Sequence, residues 1–531
     1  MKITGHTLIA NQPSSESSEF FSAKNPATGE TLSPEFCEST SAEIDRAATA
    51  AAGVFDAFRK STPEERAVFL ETIADEAMAL GDEFLERTQA ETGHPRPRCE
   101  MERGRAVAQA RLFAEFLREG SWVDARINSA QPDRQPMPAP DVRSMMLPVG
   151  PIAVFGASNF PIAISVLGSD TISAFAAGCP VIVKAHPAHP GTCEFAARAI
   201  YSAIEKCGLP QEIFSMVHGL GHEVGTNLVS HPEIKAAAFT GSLGGGRALF
   251  DVANARPQPI PFYAEMGSVN PIFILPEALA ERGNEIAQGY VASLTTGVGQ
   301  FCTNPGLVFG MESDALSDFT KTAGVAAGEW QPATMLHAGI HHAFEAGVEK
   351  MESMPELKLV GESFVKPDPD RSEAACHVFE TNADGLRAHP ELYDEVFGPV
   401  STVVNCQSTA DLEHFANQLD GSLTASIHGT EADLAAHRNL VTILEKKIGR
   451  LIFNGYPVGL EVNDSIHHGG PYPATCHSHF TSIGTRCINR FIRPVCYQNW
   501  PDSELPDELK NANPREIWRL VDGERTQAEK S

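Results

Sequence analysis

Three stretches near the start of the chain carry apolar residues at intervals of three and four positions, with polar residues between them. This spacing gathers the apolar side chains on one face of a helix, so it predicts helices over 41–60, 63–90 and 99–119. Residues 128–144, NSAQPDRQPMPAPDVRS, are rich in proline, glutamine and aspartate. Because proline interrupts regular helix, we expect a linker or an extended arm there.

Beyond residue 149 the pattern changes to short apolar runs separated by helical stretches. The first set of runs is PIAVFGA, CPVIVKA, IFSMVHG and IKAAAFTGS, with a helical stretch at 191–206 among them. A second set begins at PIFILP (271–276) and continues through VVNC, TASIHG and RLIFNG. Strands that alternate with helices predict parallel sheets, here in two α/β domains. The closing segment 490–506 predicts one more strand, either an edge strand used for assembly or an ordinary terminal strand.

Composition and charge narrow the class of protein. The chain has 531 residues, of which 42% are hydrophobic and 21% charged, and its formal net charge is −27. Such an acidic balance argues against nucleic acid or an anionic membrane surface as a partner. The eleven cysteines form no CxxC pair, and no apolar run reaches the length of a membrane span or a signal peptide. We therefore expect reduced thiols and a cytoplasmic enzyme.

The stretch TTGVGQFCTNPG contains a candidate nucleophile, Cys302. Glycines around it permit a tight backbone path that presents the side chain to a cleft and leaves its own N–H free. A cysteine in an apolar context is more often a small buried hydrophobic residue, so this stretch alone leaves both interpretations open.

Two further segments offer groups that a nucleophile would need. Glu265 lies in FYAEMGSVNP, where apolar neighbours would disfavour its charged form and suit it to act as a general base. Asn159 lies in GPIAVFGASNFPIA, where a strand runs into a turn, and its amide could donate to a developing oxyanion. A capping glutamate and a structural turn asparagine are the simpler alternatives.

A lysine and a glycine-rich turn are candidates for binding a nucleotide. Lys184 ends the apolar run CPVIVKA, and FTGSLGGGRALF places Gly244, Gly245 and Gly246 at the start of a predicted helix. Backbone amides at a helix start can receive phosphates, and a lysine at a strand end can reach a ribose. The glycines do not form GxGxxG, so the standard dinucleotide fingerprint is absent.

In their order along nearly the whole chain, these segments resemble the motifs of the aldehyde dehydrogenase superfamily. ASNFP, Lys184, FTGSLGGG, EMGSVNP and GQFC resemble its asparagine, cofactor-lysine, phosphate-turn, base and nucleophile motifs, and EVFGPV (395–400) resembles its nicotinamide segment. The resemblance implies that Cys302 attacks the aldehyde, Asn159 stabilises the oxyanion and Glu265 activates water. It also implies that Glu395 holds the nicotinamide ribose and that Phe397 borders the nicotinamide.

The resemblance further implies an α/β architecture with three parts. These are a Rossmann-like cofactor domain (1–128 and 148–262), a catalytic α/β domain (263–484), and a small bridging and oligomerisation element with the C-terminal tail (129–147 and 485–531). Bridging arms imply a homodimer or a homotetramer.

The cofactor implied by the resemblance is NAD or NADP. The family's Lys-Pro-Ala-Glu stretch is replaced here by Lys184-Ala185-His186-Pro187, so the acidic residue that repels a 2′-phosphate is missing. The small hydroxyl residue and the arginine of NADP-preferring relatives correspond to Pro187 and His222. We therefore expect use of both cofactors, and the implied cofactor-binding residues are Lys184, Pro187, His222, Gly241, Ser242, Gly246, Glu395 and Phe397.

Within the superfamily, VFGASNFP, SHPEIKA, IPFYAEMG and HHGGPYPATCHS resemble bacterial α-ketoglutarate semialdehyde (2,5-dioxovalerate) dehydrogenases and their NADP-preferring fatty aldehyde relatives. This implies oxidation of α-ketoglutarate semialdehyde to 2-oxoglutarate, in sugar-acid or hydroxyproline catabolism, with a medium- or long-chain fatty aldehyde as the alternative substrate. The same likeness places His468 near the active site and makes Phe160, beside Asn159, a candidate for the substrate pocket.

A dicarboxylic semialdehyde also needs a cationic anchor in its channel. The predicted helix 99–119 offers Arg103, Arg105 and Arg111, of which Arg105 is the candidate, although a surface arginine is the simpler interpretation of each.

Two other classes of protein are compatible with single motifs. A cysteine hydrolase or acyltransferase without a cofactor would also use Cys302, and a binding protein without activity could share the fold. The histidine pairs at 186 and 189, 341 and 342, and 477 and 479 lack cysteine or carboxylate partners at a recognisable spacing, so the sequence predicts no metal site.

Overall fold

The computed structural model describes residues 3–368 and 371–530, and its helices fall in the regions of 3.6-residue periodicity. In chain order they are α1 (Ser41–Phe58), α2 (Pro63–Ala79), α3 (Gly81–Thr92), α4 (Arg96–Glu119), α5 (Ser169–Ala177), α6 (Pro190–Lys206), α7 (Glu223–Ser230), α8 (Leu243–Ala255), α9 (Pro276–Thr295), α10 (Asp314–Glu329), α11 (Ala338–Glu352), α12 (Ala383–Ala388), α13 (Thr409–Gln418), α14 (Glu431–Ala436) and α15 (Arg438–Leu444).

The strands alternate with these helices from residue 152 onward. They are β1 (Thr7–Ile9), β2 (Gln12–Ser14), β3 (Phe20–Lys24), β4 (Thr31–Cys37), β5 (Arg126–Asn128), β6 (Val142–Pro148), β7 (Ile152–Phe155), β8 (Val181–Lys184), β9 (Phe214–Val217), β10 (Ala236–Thr240), β11 (Phe262–Glu265), β12 (Ile272–Ile274), β13 (Leu307–Met311), β14 (Ala333–Thr334), β15 (Lys358–Glu362), β16 (Glu373–Ala374), β17 (His377–Asn382), β18 (Val400–Cys406), β19 (Ser422–His428), β20 (Ile448–Phe453), β21 (Ile492–Gln498), β22 (Arg519–Val521) and β23 (Glu524–Thr526).

The predicted helix over 63–90 is wrong as one element, because the structure divides it into α2 and α3. Helix α2 begins with a capping box between Thr62 and Glu65 and ends at Ala79, with Leu80 as its C-cap. Gly81 follows with φ of +68°, a conformation that reverses the helical path and is open to glycine. The apolar spacing continues across this break, since α2 and α3 both pack onto the same core, and periodicity alone therefore did not reveal it.

The first sheet has the strand order β11-β10-β7-β8-β9-β1-β2, and β7 to β11 run parallel. Its interior is apolar on both faces, as expected for a parallel sheet covered by helices. The carboxyl ends of β7, β8, β10 and β11 therefore lie at one edge, where Lys184 and Glu265 are the last strand residues. Ligands of open parallel sheets bind outside this edge.

The second sheet has the order β15-β17-β18-β13-β12-β19-β20 and is parallel except for β15. Stacked aromatic rings fill one side of it, with the Phe273 and Phe309 centroids 4.9 Å apart and Phe415 5.9 Å from Phe309. The two sheets meet near the end of β11, where Met266 N donates to Ala474 O at 2.8 Å. A segment that follows β20 thus lies against the carboxyl end of β11.

A third sheet, β21-β6-β5-β22-β23, joins the region after α4 to the end of the chain. Its longest pairing is antiparallel, from Ile492 opposite Pro148 to Gln498 opposite Val142. Strand β6 reaches into the proline-rich stretch that was expected to be a linker or an extended arm, and it begins at Val142, after the last proline of that stretch. In the residues that the structure describes, no helix combines the length and apolar character needed to cross a membrane.

Candidate active site

Cys302 lies in a loop whose backbone is folded unusually tightly. Gly297, Val298 and Gly299 all have positive φ, between +60° and +64°. A Cβ atom at Gly299 would lie 2.3 Å from the carbonyl carbon of Gly398, so only glycine fits there. This close approach brings the loop that carries Cys302 against the segment that carries Glu395 and Phe397.

An asparagine that the sequence reasoning missed fixes this loop. Asn270 Nδ2 donates to the carbonyl oxygens of Cys302 at 2.9 Å and Asn304 at 3.0 Å. Its own backbone has φ of +51°, which asparagine tolerates better than most residues. The sequence signal for this role was the position of Asn270, five residues after Glu265. The turn that carries Glu265 therefore also holds the nucleophile loop.

Three of the predicted site residues, Cys302, Glu265 and His468, lie in contact. Cys302 Sγ is 3.3 Å from His468 Nε2, and the same nitrogen is 3.1 Å from Glu265 Oε1. Glu265 Oε2 accepts a hydrogen bond of 2.6 Å from Ser482 Oγ. His468 and Glu265 are buried, and His468 Nδ1 has no hydrogen-bond partner within the described part of the chain. One imidazole nitrogen therefore serves both the thiol and the carboxylate.

The protonation of this cluster differs from the sequence expectation for Glu265. Burial alone would raise the pKa of its carboxyl, but the charge and hydrogen bond of His468, together with the Ser482 hydroxyl, outweigh burial and lower it. The expected disfavouring of the charged form is thus wrong for this arrangement, because the partners lie outside the local sequence. The pKa of the Cys302 thiol is raised by burial and by the Glu265 carboxylate, against the opposing charge of Arg105. The thiol therefore rests protonated beside an ionised carboxylate.

Asn159 lies in the turn after β7 and is oriented toward the nucleophile loop. Its Nδ2 donates to Gln300 O at 2.9 Å, and the residue is 8% exposed. That bond uses one of the two amide hydrogens. Among the described residues no acceptor is found for the Cys302 backbone N–H. The turn and the nucleophile loop can therefore each supply one donor to an oxygen atom bound near Cys302.

Aromatic rings and arginines line the approach to Cys302 from helix α4. Phe160 and Phe301 meet edge to face with centroids 5.2 Å apart. The Arg105 guanidinium lies 5.1 Å above the Phe160 ring, and its Nε is buried without a hydrogen-bond partner. Burial lowers the pKa of Arg105, whereas the neighbouring Cys302 raises it. Over residues 3–368 and 371–530 the structure gives Arg105 no carboxylate partner.

The other arginines of α4 are accounted for by protein partners. Arg111 pairs with Asp75 at 2.9 Å on the surface, and Arg103 Nη1 lies 3.5 Å from Gly81 O. Arg98, which the sequence reasoning missed, is paired with buried Glu102 at 2.8 Å and lies 4.6 and 4.5 Å from the Phe160 and Phe301 centroids. Of the two arginines of this helix that lie over the aromatic rings, Arg105 is therefore the one without an ion pair among the described residues.

Two features at the carboxyl end of the first sheet are candidates for binding the cofactor, namely Lys184 and the turn at the start of helix α8. Lys184 Nζ donates to Gly219 O at 2.7 Å, and burial lowers its pKa to about 8. Ser242 caps helix α8 by accepting from Gly245 N at 3.2 Å. A Cβ at Gly244 would meet only open space, whereas Gly241 and Gly246 pack tightly on Phe239 and Met266. Gly244 thus leaves backbone accessible, and Gly241 and Gly246 shape the turn from behind.

Glu395 and Phe397 line a cavity of about 190 Å³ together with Ser268 and Val269. A Cβ at Gly267, two residues after Glu265, would lie 2.7 Å from Glu395 Oε2. Pro187 follows β8, and exposed His222 immediately precedes α7. An open helix start, a lysine at a strand end and a cavity reaching the nucleophile loop fit a dinucleotide, with phosphates at α8 and the nicotinamide beside Glu395.

Comparison with known proteins defines the class. The sequence pattern of the aldehyde dehydrogenase family matches residues 13–470, so the chain belongs to the aldehyde dehydrogenase family. It is 46% identical over 524 residues to alpha-ketoglutaric semialdehyde dehydrogenase 2 of Azospirillum brasilense, covering 98% of this chain and 99% of that one. It is 44% identical over 526 residues to alpha-ketoglutaric semialdehyde dehydrogenase of Acinetobacter baylyi, covering 99% and 98%.

Solved structures share the fold. An aldehyde dehydrogenase C mutant of Pseudomonas syringae, in complex with NAD+ and octanal, superposes with a TM-score of 0.79 at 20% identity, covering 94% of this chain and 98% of that chain. The NAD+ complex of an aldehyde dehydrogenase from Bacillus cereus gives 0.79 at 20% identity, covering 93% and 96%. The predicted α/β architecture and the predicted class, an NAD(P)-dependent aldehyde dehydrogenase, are confirmed.

Proposed function

We propose that this aldehyde dehydrogenase oxidises α-ketoglutarate semialdehyde to 2-oxoglutarate, with Cys302 as the nucleophile. Two relatives that match nearly the whole chain at 44–46% identity carry the name of that activity. The observation that carries the proposal is Arg105, a largely enclosed guanidinium that faces Cys302 and stacks on Phe160. A largely enclosed guanidinium without a direct ion pair among the described residues favours an anionic ligand, and the substrate carboxylate supplies one.

The first step is attack of the Cys302 sulfur on the aldehyde carbon. The thiol proton passes to His468 Nε2, which lies 3.3 Å from Sγ. Asn159 Nδ2 and the Cys302 N–H donate to the oxyanion of the thiohemiacetal as it forms. Arg105 holds the far carboxylate, so the substrate enters in one orientation and its aldehyde end meets the sulfur.

Lys184, the start of α8 and Glu395 would hold NAD(P), which when bound would supply the hydride acceptor for oxidation of the thiohemiacetal on Cys302 to a thioester. Glu265 then removes a proton from the water that hydrolyses this thioester. His468 and Ser482 lower the pKa of Glu265, so its carboxylate is ionised and can accept that proton. Pro187 occupies the position of the acidic residue in the family's Lys-Pro-Ala-Glu stretch. The absence of that negative charge supports use of NADP as well as NAD.

The arrangement of the histidine argues against a cofactor-free cysteine hydrolase. In such enzymes the nucleophile and the orienting carboxylate bind opposite nitrogens of the imidazole. Here both Cys302 and Glu265 contact Nε2, and Nδ1 lacks a partner among the described residues. The carboxylate is therefore placed to serve the thiol, the histidine and a hydrolytic water directly.

A matched pair of aldehydes tests the substrate. Initial rates of NAD(P)H formation are compared for α-ketoglutarate semialdehyde and pentanal, which have the same chain length, with longer aliphatic aldehydes alongside and each cofactor in turn. We expect kcat/KM for the semialdehyde to exceed that for pentanal by about 30-fold or more, as one charge-assisted contact provides. Equal values, or a steady rise with aliphatic chain length, would instead establish a fatty aldehyde dehydrogenase.

The predicted assembly and location are part of the same proposal. The sheet that joins β6 to β21 supports a bridging role in a homodimer or homotetramer, because its strands lie outside both α/β sheets. The eleven cysteines are all free thiols, which supports a reducing compartment, the cytoplasm. Light scattering of the purified protein measures the assembly, and a monomer would remove the bridging role.

A further inference from the structure

Three potential metal ligands converge on one point at the active site. One ligand atom each from Cys302, His468 and Glu265 lie within 4.8 Å of one another. The two measured contacts are 3.3 Å for sulfur to nitrogen and 3.1 Å for nitrogen to oxygen. This is the single such cluster found over residues 3–368 and 371–530.

These distances are close to those within a tetrahedral zinc site. With Zn–S near ~2.3 Å and Zn–N or Zn–O near ~2.0–2.1 Å, neighbouring ligand atoms lie ~3.3–3.6 Å apart. The Cys302–His468 and His468–Glu265 contacts already approximate this separation. The Cys302 and Glu265 ligand atoms lie within 4.8 Å of each other, and their approach to about 3.5 Å would complete a three-ligand face that leaves the fourth position for water.

The donor set also selects the metal. Thiolate, imidazole and carboxylate together suit zinc, whereas magnesium and calcium prefer oxygen ligands alone. Two negative charges from Cys302 and Glu265 attract a divalent cation, and the nearby charge of Arg105 opposes it. His468 Nδ1, however, lacks the acceptor that usually orients a metal-bound histidine, and such an acceptor strengthens binding. The site therefore favours reversible rather than permanent occupancy.

We propose that Zn2+ binds reversibly to Cys302, His468 and Glu265 and inhibits the enzyme by occupying its nucleophile. Binding displaces the thiol proton to solvent, so Zn2+ affinity rises with pH. The sequence predicted no metal site because the ligands are up to 203 positions apart and show no recognisable spacing. The proposal is independent of the aldehyde that the enzyme prefers, because metal binding is measured without substrate.

Metal titration of the cofactor-free protein tests the site directly. Equilibrium dialysis with Zn2+ is expected to give one tight ion per chain, and Co2+ in its place is expected to show a thiolate-to-metal charge-transfer band. Cys302→Ser should lose that band. Loss of a group that only orients a metal ligand usually weakens metal binding about 10- to 100-fold. Because His468 would itself be a ligand, His468→Ala should weaken Zn2+ binding by more than that. Thermal melting of each variant verifies folding.

A surface cysteine provides the matched control. Cys496 is exposed, and Cys496→Ser should bind Zn2+ and Co2+ as the unaltered protein does. Zn2+ should also protect Cys302 from alkylation by iodoacetamide, with EDTA restoring the reaction, as read by peptide mass spectrometry. Binding that persists unchanged in Cys302→Ser, a Co2+ complex without a thiolate band, or unprotected Cys302 would each overturn the proposal.

Discussion

Replacement of Arg105 by methionine removes the cation from the substrate channel while keeping a long side chain over Phe160. The guanidinium has no carboxylate partner in the described structure, so its charge remains available to the substrate. A charge-assisted hydrogen bond in a partly buried site contributes about 2–3 kcal/mol, which corresponds to about 30- to 150-fold in kcat/KM. We expect this loss for α-ketoglutarate semialdehyde, mainly as a higher KM, since the carboxylate lies away from the reacting carbon.

The assay is steady-state NAD(P)H formation with the semialdehyde and with pentanal for each variant. Pentanal has no carboxylate, so its kcat/KM should change less than about threefold. Arg111→Met is the matched control on the same helix, because Arg111 pairs with Asp75 on the surface. This variant should leave kcat/KM unchanged for both aldehydes. Equal losses for both aldehydes, or no loss for the semialdehyde, would refute the anchoring role of Arg105.

Three further changes test other parts of the account. Asn159→Ala should lower the rate of the first NAD(P)H burst about 100- to 1,000-fold by removing an oxyanion donor, and an unchanged burst would contradict that role. His468→Asn should slow both turnover and alkylation of Cys302 about 100-fold, whereas alkylation at the original rate would show that the histidine does not receive the thiol proton. Glu194 is buried, and although burial raises the pKa of its carboxyl, hydrogen bonds from Arg198 and the N-terminal backbone lower it overall. Its stabilising contribution is therefore present above the unfolded pKa near 4.5 and is lost as pH falls through the lower folded pKa. Glu194→Gln should lower the unfolding free energy by about 2 kcal/mol at neutral pH and by less near pH 4, as measured with denaturant, and a deficit independent of pH would contradict this.

Much of the architecture followed from local patterns. Helical spacing predicted α1, α4 and α6 within a few residues, and apolar runs predicted parallel strands such as β8, which ends at Lys184. Strand β11, which ends at Glu265, was not predicted. The division between α2 and α3 escaped prediction because both helices bury their apolar faces in one core, so the apolar period crosses the break.

The electrostatics of the site could not be predicted in the same way. The apolar neighbours of Glu265 in sequence suggested a raised pKa, but His468 and Ser482, more than 200 positions away, reverse that direction. The sequence named Arg105 as the candidate among the arginines of α4, but the ion pair between Arg111 and Asp75, which excludes Arg111, joins two helices and no local pattern shows it. Such effects arise from contacts between distant segments, and a linear pattern carries little information about them.

The central proposal is that Cys302 forms a thioester with the substrate and that Glu265 then activates the water that hydrolyses this thioester. Glu265→Gln should leave acylation possible and block hydrolysis, so mixing this variant with α-ketoglutarate semialdehyde and NAD(P) should produce about one NAD(P)H per active site followed by a slow steady state. Peptide mass spectrometry of the quenched mixture should find the acyl group on Cys302. An acyl group on another residue, or aldehyde oxidation that continues in Cys302→Ser at the original rate, would contradict the account.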